Sequence, residues 1–140
     1  MSTAREIMHA GATCVQESET LEAAARRMRE LNVGALPICG ADDRLHGIIT
    51  DRDIVVKCLA EGRNPSATTA GELAQGKPIT VDADADADQT EVLRLMEEYR
   101  IRRLPVIEAH RLVGMISEAD IARHLNRHEV GEFVEAVCAA

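Results

Sequence analysis

The chain has 140 residues, 46 % of them apolar and 29 % charged, and a net charge of −8. That length holds one compact domain or two very small ones, and the acidic balance argues against duplex DNA or long RNA as the main partner, since such binding needs Lys and Arg against phosphates. Tyr99 and Phe133 are the only aromatics, so the core must be built from Leu, Ile, Val, Met and Ala. The opening "MSTAREIMHAG" lacks the basic start and apolar stretch of a secretory signal. No run reaches the roughly 18 apolar residues of a membrane span, so a cytoplasmic protein without a membrane partner is expected.

The elements follow in chain order. A short leading segment around "ATCV" precedes a helix, with Thr20 as its N-cap and Leu21, Ala24, Ala25, Met28 and Leu31 at helical spacing. The strand "ALPIC", the polar turn "GADDR" and the strand "LHGIIT" come next. A second helix, "DRDIVVKCLAEG", stops at Gly62, and "RNPSATT" is a linker. The same order then returns: "PITV", a helix with Val92, Leu93, Met96 and Tyr99 on one face, "RLPVI", the turn "EAH", "LVGMIS", and the helix "EADIARHLNRH". The tail "EVGEFVEAVCAA" reads as a short amphipathic helix through Val130, Phe133, Val134 and Val137. Phe133 there suits either a dimer contact or folding back onto its own domain.

This return is a duplication. Thr3–Met8 matches Thr69–Ala74 at an offset of 66, Met28–Ile38 matches Met96–Val106 at 68, and Arg44–Ile54 matches Arg111–Ile121 at 67. The shifts fall in "DADADAD" and in the turn between strands, where insertions are tolerated. The expected fold class is α/β (α+β). Two pseudo-symmetric repeats span residues 1–64 and 65–126, each a small sheet with two helices, and a helical tail spans 127–140. A sheet this small leaves one apolar face, so the two repeats are expected to cover each other in one domain.

The strand-to-helix junctions carry the chemistry. Thr50-x-x-Asp53 and Ser117-x-x-Asp120 each place a hydroxyl at a helix start and an aspartate one turn on. Such a hydroxyl caps the helix, or donates to a phosphate oxygen, and the aspartate can accept from two ribose hydroxyls. On spacing alone capping is the simpler reading. Gly47 and Gly114 inside strands suggest close packing, and Pro37 and Pro105 suit an edge or strand end. Arg102 and Arg103 stand where the first repeat has Gly34 and Ala35. They either bind phosphates or form a solvated pair facing Glu97 or Glu98. Arg52, replaced by Ala119 in the second copy, would give the first site its own cation. The two sites should therefore differ.

The cysteines offer a rival. Cys14 and Cys39 occupy strand ends that could bring them together, as a disulfide or as zinc ligands with His46 or His9. No ligand spacing supports this, so unpaired buried thiols are the favoured expectation, and no metal is assigned. His110, His124 and His128 read as surface residues. "VDADADADQTEV" alternates carboxylates but lacks the Gly and distal Glu of an EF-hand loop, and reads as a solvated helix entry. No Ser/His/Asp set, HExxH, P-loop or GxGxxG occurs, so an enzyme is not expected.

The ordered sets Leu-Pro-Ile/Val, polar turn, and Leu-x-Gly-apolar-Ile-Thr/Ser-x-x-Asp-Ile resemble the cystathionine-beta-synthase (CBS) domain. Two in tandem resemble a CBS pair, or Bateman module. The wording "TAREIM…ALPICG…RLHGIITDRDIVVK" is similar to small stand-alone CBS-pair proteins of actinobacteria, mycobacterial hypoxic-response proteins among them. The resemblance implies a regulatory, stress-related homodimer with an effector protein as partner and no required cofactor. It implies clefts for AMP, ADP, ATP or S-adenosylmethionine, with Ala35, Leu36, Leu104, Val15 and Val81 near the adenine. It raises ligand binding at Thr50, Asp53, Ser117 and Asp120 to equal standing with capping. An interaction module with empty clefts stays open as an alternative.

Overall fold

A computed structural model describes residues 2–10, 13–74, 76, 78–83 and 88–138. The acidic run at 84–87 lies outside the described residues. The fold is mixed α/β, with two small sheets, and the chain divides into two compact units, residues 13–78 and residues 1–12 with 79–140.

In the unit 13–78, β2 (Val15–Gln16) runs parallel to β3 (Ala35–Cys39), which pairs antiparallel with β4 (Leu45–Thr50). Helix α2 (Leu21–Leu31) starts where Thr20 Oγ1 accepts from Ala23 N at 3.1 Å. It buries Leu21, Ala24 and Met28, and ends on Asn32 in the left-handed conformation. These side chains pack with Val15, Leu36, Ile38, Ile49, Ile54 and Cys58 into an aliphatic core. After one α-helical turn, α3 (Asp51–Asp53), the next stretch Ile54–Leu59 is a π-helix, and the chain turns away at Gly62, φ +75°.

The other unit carries the sheet β1-β7-β6-β5: β1 (His9–Ala10), β7 (Arg111–Ser117), β6 (Arg103–Glu108) and β5 (Val81–Asp82). Helix α5 (Gln89–Glu98) is capped by Asp88 and buries Val92 and Met96. Helices α6 (Glu118–His124) and α7 (Arg127–Cys138) complete the unit. Phe133, 1 % exposed, folds back into this core beside Val137, so its reading as a dimer contact is corrected. The tail returns because one large aromatic ring removes more apolar area from water than any neighbouring side chain.

The compact units do not coincide with the sequence repeats. Two short helices, α1 (Ala4–Ile7) and α4 (Ala70–Leu73), were not expected from the sequence pattern. Each follows a Thr-x-x-Glu capping box, Thr3 with Glu6 and Thr69 with Glu72. Ala4 and Ile7 enter the core holding Val92 and Leu104, while Ala70 and Leu73 enter the core holding Val15 and Leu21. The opening segment of each repeat is thus buried in the unit formed mainly by the other repeat.

Pro37 and Pro105 sit in the middle strands β3 and β6, not at edges, which corrects the expectation. The short strands β2 and β5 begin pairing only at the following residues, Ile38 and Val106, so the missing N–H removes no ladder bond on that side. Gly114 does mark a close approach. A Cβ there would clash with Met8 Sδ and meet the His9 carbonyl oxygen at 2.9 Å, whereas at Gly47 the nearest atom is the Ala74 Cβ at 3.1 Å. Gly114→Ala should destabilise by about 1–3 kcal/mol and Gly47→Ala by less, measured by urea denaturation.

Candidate functional site

Both junctions form, and they share one design. At the first, Asp53 N donates to Thr50 Oγ1 at 3.0 Å and Thr50 N donates to Asp53 Oδ2 at 3.0 Å, a reciprocal capping box. Asp53 Oδ1 pairs with Lys57 Nζ at 3.1 Å, and the carboxylate keeps 19 % of its side-chain surface. At the second, Asp120 N donates to Ser117 Oγ at 3.4 Å. Asp120 Oδ2 accepts from Ser117 N at 2.8 Å, from Ser117 Oγ at 3.0 Å, and pairs with His9 Nδ1 at 2.8 Å. Arg123 closes on Oδ1, and Asp120 is 1 % exposed. Burial raises its pKa, but the Ser117 N–H, the His9 ring and the Ser117 hydroxyl outweigh that and hold it below the ordinary aspartate value.

The strand register sets what stands beside each hydroxyl. Ala35 lies opposite Thr50, and Arg103 lies opposite Ser117. Directly paired residues share one face of a sheet, so only the second junction has an arginine as the cross-strand neighbour of its hydroxyl residue. Arg102 turns elsewhere. It sits 4.0 Å from Glu118 and donates to Cys138 Sγ at 3.6 Å, not to Glu97 or Glu98. Arg52 is exposed and, with Asp51, Val55 and Val56, lines a shallow depression of about 350 Å³. Val15, Val81, Leu36 and Leu104 are buried in their cores, and Ala35 is half-buried.

The cysteines depart from expectation. Cys14 and Cys39 are joined by a disulfide, with Cα atoms 5.7 Å apart. Cys14 lies just before β2 and Cys39 is the last residue of β3, the strand that β2 pairs with. The favoured reading of unpaired thiols is corrected for this pair. Cys58 is free and buried, and Cys138 is free and exposed. His46 stacks over Gly40 and pairs with Glu17 at 2.9 Å. Among the described residues no three His, Cys, Asp or Glu side chains form a metal cage. His110, His124 and His128 are exposed.

No pattern in the sequence pairs His9 with Asp120. Its role depends on β1 pairing antiparallel with β7, His9 opposite Met115 and Ala10 opposite Gly114. A two-residue strand has no periodicity to read.

A CBS-domain family model matches residues 4–59 and 70–127. Hypoxic response protein 1 of Mycobacterium tuberculosis is 60 % identical over 139 residues, covering 99 % of this chain and 96 % of that protein. The crystal structure of Hypoxic Response Protein I with two coordinated zinc ions superposes with a TM-score of 0.81 at 62 % identity, covering 89 % of this chain and 100 % of that one. CBSX2 in complex with AMP has the same fold, with a TM-score of 0.74 at 22 % identity over 88 % of this chain and 95 % of that one.

Proposed function

The chain belongs to the CBS-domain family as a tandem pair, and from that premise we propose that it is a regulatory sensor that binds an adenosine-containing ligand at its hydroxyl–aspartate junctions. One observation carries this reading. The same capped junction is built twice, each with a hydroxyl at the helix start and a carboxylate one turn on. The capping box already sets both groups at the helix start, where the hydroxyl can meet a phosphate oxygen and the carboxylate a ribose diol. Asp53 and Asp120 are the ribose acceptors, Thr50 and Ser117 the hydroxyl donors, and Arg52 and Arg103 the phosphate cations. Arg102 supports from the flank, held by Glu118. Backbone at Val15, Ala35 and Leu36 borders the base at the first junction, and backbone at Val81 and Leu104 borders it at the second. The ligand shifts the population of conformations that an effector protein reads, without catalysis and without a required cofactor. A homodimer fits this role. Val55, Val56 and Leu59 are exposed by 55 %, 42 % and 53 % on one short helical stretch and supply apolar surface for it. Kinship with a hypoxic response protein supports a stress role, and the proposal places that role in the cytoplasm. Thermal unfolding with AMP, ADP, ATP and S-adenosylmethionine tests the reading. A ligand at about 100 times its Kd stabilises by about 2.7 kcal/mol, and no shift with any of them at millimolar concentration contradicts it.

The Cys14–Cys39 bond favours a second reading, a redox- or zinc-responsive protein. Reduction frees two thiolates at one sheet end, with His46 and Glu17 on the same unit, and a highly similar protein carries zinc. Thiol titration should find Cys58 and Cys138 alone before reduction and all four cysteines after it. Opening this link, 25 residues apart in sequence, should lower stability by about 3 kcal/mol. Four free thiols before reduction, with no zinc in the purified protein, would reject the reading and strengthen that of an interaction module with empty clefts.

A further inference from the structure

The two junctions differ in how much of their acceptor capacity is left. Asp120 is surrounded: Oδ2 faces Ser117 N, Ser117 Oγ and His9 Nδ1, while Oδ1 faces Arg123. A carboxylate has about four acceptor positions, and here four contacts meet a side chain that is 2 % exposed. Among the described residues, Asp53 has the Thr50 N–H and a half-exposed Lys57 as its partners. The Ser117 hydroxyl donates to its aspartate's carboxylate, whereas the Thr50 hydroxyl accepts from Asp53 N.

The group that closes the second junction comes from far along the chain. His9 is 111 residues from Asp120. It is delivered by β1, which lies on β7 across Gly114, the residue whose missing side chain leaves room for Met8 and the His9 carbonyl. The His9 ring is 49 % exposed at its outer side, so it covers Asp120 like a stopper that solvent can reach, with no packed shell holding it. The residue matching His9 in the other copy is Gln75, outside the described residues.

We propose that His9 is an autoinhibitory gate, occupying on Asp120 the place of a ribose hydroxyl, so that Thr50–Asp53 accepts ligand while Ser117–Asp120 stays closed until the β1 segment lifts. This rests on the ribose-binding reading of the junctions and adds an order of occupancy to it. Lifting β1 frees the carboxylate beside Arg103, the junction with the stronger phosphate anchor. Binding at the second junction is therefore coupled to release of the N-terminal segment.

Calorimetric titration of the full chain with AMP and with ATP tests the gate. The wild type should bind one equivalent per chain, and Asp53→Ala should weaken that binding at least tenfold. His9→Ala should add a second equivalent, which Asp120→Asn in the same chain removes. His9→Gln retains an N–H donor for the carboxylate and should keep the wild-type stoichiometry, which separates gating from a general loosening of the fold. Unchanged stoichiometry and affinity in a folded His9→Ala protein, with the wild type still binding, overturns the gate and leaves the binding reading standing. No heat of binding from wild type or His9→Ala with either nucleotide overturns the gate, and the binding reading then stands or falls on the thermal unfolding test with all four ligands.

Discussion

Asp120→Ala is expected to lower stability by about 3–5 kcal/mol, against about 1 kcal/mol for Asp53→Ala. Both substitutions delete half of a capping box, which is worth on the order of 1 kcal/mol. Only Asp120 is buried among several donors, Ser117, His9 and Arg123. Removing one side of such a cluster leaves the others without an acceptor inside the fold, and that loss dominates. Chemical denaturation at neutral pH measures the difference. Equal costs would mean that the contacts of Asp120 contribute no more than capping.

The same group sets a pH dependence. The folded-state pKa of Asp120 lies below its ordinary value of 3.8, so its contribution is fully present above that value. It is lost as the pH falls through the lower folded value. The stability gap between wild type and Asp120→Asn should stay constant above about pH 5 and narrow below about pH 4. A gap that widens on acidification would contradict the lowered pKa.

Phe133→Ala should cost about 3–5 kcal/mol. Phe133 is the largest fully buried side chain of the chain and packs in a core that is otherwise aliphatic. Ala at 133 leaves a space that Val137, Val92 and Met96 cannot fill without moving α7. Val134→Ala, on the exposed side of the same helix at 46 % exposure, should change stability by about 0.5 kcal/mol or less. Comparable losses at 133 and 134 would mean that α7 is not docked on this core.

What the sequence made legible follows from periodicity and from repetition. Leu21, Ala24 and Met28 repeat at helical spacing and are the buried face of α2. Duplication then doubled every signal, so "LHGIIT" and "LVGMIS" identified each other as strands. The fold class could be read in full, and so could the hydroxyl–aspartate junctions. Four features could not. The π-helix Ile54–Leu59 has the same residue pattern as an α-helix. The helices α1 and α4 are too short for a spacing signal, although their Thr-x-x-Glu boxes were present to be read. The disulfide joins the residue before β2 to the last residue of β3, 25 positions apart, a proximity that no local pattern encodes. The His9–Asp120 pair joins residues 111 apart through a two-residue strand. Each of the last two is a consequence of tertiary pairing, where sequence spacing carries no information about distance.

The difference between the two copies is visible in the sequence as Arg103 against Ala35, and the structure gives it a second component. The second junction has the cation but a covered carboxylate, and the first has an accessible carboxylate without an arginine opposite its hydroxyl. The recognition of ribose hydroxyls by the junction aspartates is the central claim. Its most direct measurement is the affinity of the full chain for AMP compared with its 2′,3′-dideoxy analogue, in wild type and in Asp53→Ala. The account predicts at least tenfold weaker binding of the analogue to wild type, and a ratio near one in Asp53→Ala. Equal affinity of the wild type for both nucleotides would contradict it.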